Sequence, residues 1–144
     1  MIEKDTVRLL RECNAGVLMG VSSINEVIDS VTDAAFREML ISSKDRHREL
    51  NRDIENLLGK YGSEGKKPNP MAKSMAWVKA NFKMAVDGTD SAIADIMTDG
   101  CNMGIKSLSK YLNQYAAADE DSKNIAKRLI SIEENLCEDM RSFL

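Results

Sequence analysis

Four long stretches of this chain place apolar residues at alternating intervals of three and four, and that rhythm constrains the fold most. Such intervals keep side chains on one face of an α-helix and form the seam of a helical bundle. A strand would alternate every second residue instead. The first stretch reads Val7, Leu10, Asn14, Val17, Val21, Ile24, Ile28, Val31. Its second half is rich in β-branched residues, a local preference for strand, but the period is helical. The second reads Phe36, Leu40, Ser43, His47, Leu50, Ile54, Leu57, Tyr61. The third reads Ala94, Met97, Cys101, Gly104, Leu108, Tyr111, Tyr115, and the fourth Ile125, Leu129, Ile132, Leu136, Met140, Phe143.

A shorter stripe, Met71, Met75, Val78, Phe82, Ala85, lies between the second and third. Pro70 suits the first turn of that helix, with Asn69 as its cap. The pattern predicts one domain over 1–144, with helices at about 5–31, 33–61, 70–86, 90–117 and 119–143. Asp5 or Thr6, Thr32 or Asp33, and Thr89 or Asp90 are the expected caps of the first three long helices. The acidic run Asp119-Glu120-Asp121 suits the positive end of the last one.

The connections set the expected topology. Helices one and two meet at a short turn, as do helices three and four, so each pair is antiparallel. The link between helices two and three is long. Helix two spans ~45 Å at the α-helical rise, and the crossover helix covers ~24 Å. The extended start of the link adds up to ~30 Å. The link can therefore travel the length of the bundle and let helix three run parallel to helix two. The expectation is an all-α, ferritin-like four-helix bundle with a short extra helix in the long crossover between helices 2 and 3.

Composition removes several function classes. The chain has only 2 prolines and 8 glycines in 144 residues, too few turn signals for an all-β fold. The formal net charge of −3 argues against nucleic acid as a partner, since that needs a basic face. No apolar run approaches the roughly 20 residues of a membrane span, so no membrane role is expected. Three widely spaced cysteines, Cys13, Cys101 and Cys137, fit free thiols in a reducing, cytoplasmic setting.

The interior invites a test for a di-iron centre. Such bundles direct one Glu from each of two helices, and a Glu-x-x-His from each of the other two, to mid-bundle. Counting from the turns places Asn14, His47, Cys101 and Leu136 at the middle layer, and none is a carboxylate. The chain has one histidine, so a two-histidine site cannot form within it. Glu133, Glu134, Glu138 and Asp139 read as a solvated face.

The segments Trp77-Val78-Lys79 with Phe82-Lys83, Gly88-Thr89-Asp90 with Ala92-Ile93, and Gly100-Cys101-Asn102 with Ile105-Lys106 carry a resemblance. They are similar to an uncharacterised bacterial family of ferritin-like four-helix bundles, over about residues 70–144. The resemblance implies the fold. It also implies that the usual di-iron ligand positions are lost. Cys101 stands where the family tends to have Glu, Leu136 where it tends to have His, and Asn14 and Ala15 where an acidic residue is expected.

The candidate residues follow. Asn14, Ser43 and His47 are read as a buried polar core, with His47 bonded to Asn14 or Ser43 across helices one and two. Buried polar residues of this kind commonly fix helix register. No catalytic residue and no cofactor are expected. The alternative is a metal or redox site using His47 and Cys101, with iron, manganese or zinc as the metal. Nine methionines are an excess. Met19, Met39, Met84 and Met103, with Trp77, fall off the apolar stripes and are read either as wider core contacts under the crossover helix or as a partner surface. The leading expectation is a metal-free, non-catalytic bundle acting as a homo-oligomer or on a protein partner. A small-ligand pocket near Trp77 and Phe82 is a third possibility.

Overall fold

The computed structural model describes residues 4–63 and 88–144, and among these the only regular structure is helical. The expected crossover helix at 70–86 lies outside the described residues, as do Trp77, Phe82 and Met84. The four long helices are α1 (Lys4–Val27), α2 (Ala34–Lys60), α3 (Asp90–Gln114) and α4 (Glu120–Met140). Short 3₁₀ turns follow α1 at Ile28–Ser30 and α4 at Arg141–Phe143.

Side-chain caps define where three of these helices begin. The carboxylates of Asp33 and Asp119 accept from the backbone N–H groups of Phe36 and Ser122, and the Thr89 hydroxyl accepts from Ala92. Each satisfies one of the N–H groups that a helix start leaves without a partner. At the far end of α2, Gly62 takes a left-handed conformation, φ 67°, which suits a residue without a Cβ.

Contacts between the ends establish the helix directions. The Asp90 carboxylate, at the start of α3, accepts from the Thr32 and Asp33 N–H groups at 2.9 and 2.8 Å and from the Thr32 hydroxyl at 3.0 Å. Thus α3 begins beside the α1–α2 turn, where α2 also begins, and the two run parallel. At the opposite end the Thr6 hydroxyl accepts from the Asp119 N–H at 2.9 Å. Asp5 accepts from the Ala117 N–H, and the Tyr61 hydroxyl donates to Asp119 at 2.8 Å. Helix α1 packs on α2, α3 and α4, and α4 packs on α2 and α3. Helices α1 and α4 are therefore each antiparallel to both α2 and α3.

The core has two apolar halves. One gathers Ile24, Val27, Phe36, Leu40, Met97 and Leu136 near the α1–α2 turn, closed by Phe143 stacked on Phe36 at a ring separation of 4.6 Å. The other gathers Leu9, Leu10, Leu50, Ile54, Leu108 and Leu129 at the opposite end. The break between the halves falls at Gly20 on α1, His47 on α2, Gly104 on α3 and Glu133 on α4. No described helix is long and apolar enough to cross a membrane.

Candidate functional site: a buried histidine–glutamate pair beside two thiols

Burying a charged group is costly unless it is paired and hydrogen-bonded. His47 is fully buried and meets both conditions. Its Nδ1 lies 2.7 Å from the Ser43 carbonyl one turn back on α2, and its Nε2 lies 2.7 Å from Glu133 Oε1 on α4. Glu133 is itself only 8% exposed. With both ring nitrogens facing oxygen acceptors, the doubly protonated imidazolium satisfies every contact. Burial alone would lower the His47 pKa. The Glu133 hydrogen bond and charge, with the Ser43 carbonyl, outweigh it and raise the pKa above 6.5.

The other two helices supply the space. A Cβ on Gly20 would lie 2.8 Å from His47 Nε2, inside any tolerable contact. A Cβ on Gly104 would lie 3.8 Å from Glu133 Oε2. Two helices thus contribute the bulky polar side chains, and the other two contribute glycines opposite them.

The thiols adjoin this pair. Cys101, buried on α3, interacts with Glu133 and with the thiol of Cys137 on α4. Cys137 Sγ is 3.6 Å from Asn102 Oδ1 and 3.9 Å from the Thr98 carbonyl, both on α3 and on either side of Cys101. The neighbouring Cys137 thiol, burial and the Glu133 charge push the Cys101 thiol far up. The neighbouring Cys101 thiol lowers Cys137. Burial favours the same order, since Cys101 is buried and Cys137 half-buried, which leaves Cys137 the more readily ionised. Cys13, buried on α1, is pushed up to about 12 by desolvation and by Glu12.

Several expectations are corrected here. Glu133 does not lie on a solvated face. It follows Leu129 by four and precedes Leu136 by three, so it occupies the core seam of α4, while Ile132 is only half-buried. The partner of His47 is therefore a carboxylate from α4, not a side chain from α1. Asn14 is buried but donates to Asn51 Oδ1 at 2.8 Å, away from His47. Ser43 is buried and serves His47 through its backbone carbonyl. The middle layer is Gly20, His47, Gly104 and Glu133 rather than Asn14, His47, Cys101 and Leu136. Met19 and Met39 are half-buried against the apolar core and do not form a free surface. Met103 is exposed, and Trp77 and Met84 are outside the described residues.

His47 and Cys101 do share a neighbour, Glu133. Among the described residues, however, no three His, Cys, Asp or Glu side chains are arranged to hold a metal ion. An open cleft of about 380 Å³ between α2 and α4, lined by Asp53, Leu57, Asp121 and Arg128 among others, is bridged by an Asp53–Arg128 ion pair.

No protein-family model matches this chain, and no curated protein matches it. A solved structure does: the crystal structure of a DUF305 fragment from Deinococcus radiodurans. The superposition covers 98% of this chain and 95% of that one, with a TM-score of 0.75 and 13% sequence identity. At that identity the likeness is one of fold. It fits an all-helical domain of unknown function and assigns no residue a role.

Proposed function

We propose that the chain is a non-catalytic, ferritin-like bundle that acts by association, with a second copy of itself as the first candidate partner. The observation carrying this reading is the saturation of His47. Its two nitrogens are occupied by the Ser43 carbonyl and by Glu133, so the ring has no free position for a substrate proton or a metal. General acid–base work needs a group within reach of the substrate. A fully engaged pair between two apolar halves fits a structural role, in which a buried polar layer sets helix register. The helix directions support the ferritin-like assignment, since α2 and α3 run parallel as a single long crossover requires.

Association draws support from the outer faces of α2 and α3, where Ile41 and Met103 are 41% and 43% exposed. Methionine suits adaptable contacts. The free thiols of Cys13, Cys101 and Cys137 support a reducing, cytoplasmic setting.

The test is light scattering on the purified chain over a dilution series, run beside elemental analysis. A defined dimer or larger assembly that Met103→Lys or Ile41→Lys dissociates is the expected result. A monomer at every concentration removes the association role. Stoichiometric iron, manganese or zinc removes the non-catalytic one.

A further inference from the structure

We propose that Cys101 and Cys137 form a redox pair that closes to a disulfide between α3 and α4 when the protein meets a small peroxide. Cys137 Sγ packs against the α3 backbone at the Thr98 carbonyl and against Asn102, so it sits over the turn that carries Cys101. Cys137 packs there against the buried cluster that contains Cys101. Contact of a side chain with the backbone of the facing helix requires close approach. The small side chains of Cys101 and Gly104 permit it, and a disulfide needs Cα atoms within about 7 Å.

The two sulfurs are suited to different tasks. Cys137 is half-buried and therefore reachable by a small oxidant, and it is the more acidic of the two. A thiolate, not a thiol, attacks. Cys137 thiolate attacks one oxygen of hydrogen peroxide and the O–O bond breaks. Sulfenic acid forms, and the hydroxide released takes up the proton that Cys137 gave to solvent on ionising, leaving as water. Cys101 gives its proton to the neighbouring Glu133 carboxylate, and the resulting thiolate attacks the Cys137 sulfur. The S–S bond forms and the S–O bond breaks. Glu133 returns the proton to the departing hydroxide, which leaves as water. The sum is two thiols and one peroxide giving one disulfide and two waters. The sulfurs are oxidised and the peroxide oxygens reduced. Cys13 is deeply buried on α1, with its thiol pushed up to about 12, and takes no part.

This proposal is independent of the association role, since both sulfurs belong to one chain. The experiment treats the full, reduced chain with hydrogen peroxide and then alkylates all remaining thiols under denaturing conditions. Intact mass and peptide mapping follow. The expected product is a monomer lighter by two hydrogens, with Cys13 alone alkylated and a Cys101–Cys137 peptide that a reductant separates. Cys101→Ser should stop at sulfenic or higher acids on Cys137, and Cys137→Ser should leave Cys101 alkylatable. Because Cys101 is buried, Cys101→Ala serves as the second variant, and circular dichroism checks that each is folded. A wild-type chain that gives only Cys137 oxyacids would overturn the proposal. So would covalent dimers through Cys137, or Cys13 oxidised as fast as Cys101.

Discussion

At Gly20 the middle layer becomes a steric demand. Replacing a helical glycine with alanine ordinarily gains about 0.5–1 kcal/mol, because glycine costs more entropy to fix. At position 20 the new Cβ would meet His47 Nε2 at 2.8 Å, and the imidazole is held at both nitrogens and cannot move aside. Overpacking of this kind typically costs about 1–3 kcal/mol. Gly100, one turn before Gly104 on α3, would meet nothing within 4 Å. Urea unfolding is thus expected to show Gly20→Ala destabilised and Gly100→Ala stabilised. The two opposite signs would come from the same chemical change. The pH dependence has a sign as well. The folded pKa of His47 is raised above 6.5, so the folded state binds the proton more tightly than the unfolded state. The resulting stability is fully present below pH 6.5 and declines as the pH rises through the folded value. Glu133→Gln removes the charge that raises it, so the stability–pH profile of that variant should be flatter above 6.5.

At the scale of whole elements, Asp119 joins more parts than any other described cap. Its carboxylate accepts from the Ser122 N–H at the start of α4 and from the Tyr61 hydroxyl at the end of α2, and its own N–H donates to Thr6 on α1. Burial opposes its ionisation, but the Ser122 and Tyr61 hydrogen bonds and the Lys60 charge hold its pKa below the usual range. That contribution is present at neutral pH and is lost as the pH falls through the lowered value. Asp119→Ala should cost about 1 kcal/mol, as the loss of a cap usually does. Asp119→Asn, an equally good cap, should recover most of it, with urea midpoints separating the two. The helices themselves were legible because three-and-four spacing and Asp or Thr caps are local signals. Their ends were less so. The turn after Gln114 depends on the Tyr115 N–H reaching the Tyr111 carbonyl and the Ala118 N–H reaching Tyr115, which no residue type there announces.

For the molecule as a whole, the parallel course of α2 and α3 followed from link length and is carried by the Asp90 contacts with Thr32 and Asp33. The middle of the bundle was harder to read. A carboxylate on the seam of α4 looks like a surface residue until the imidazole of α2 is known to face it, and that contact joins residues 86 apart in sequence. Spacing did not decide it, since Ile132 and Glu133 both fit intervals of three and four between Leu129 and Leu136. Depth counted from turns also misplaced the layer on α1, where Gly20 rather than Asn14 faces His47. The Cys101–Cys137 contact is likewise tertiary, since it depends on how α3 and α4 are rotated about their axes.

The sharing of space between Gly20 and His47 bears on how this fold can diverge. A substitution that shrinks the side chain at 47 leaves a void that a Cβ at 20 would fill. Gly20 has no reason to change first. Among aligned descendants of this fold, positions 20 and 47 should therefore covary, glycine staying at 20 where 47 keeps its large polar group. A collection in which 20 and 47 vary independently would mean that natural backbones shift enough to dissolve the constraint.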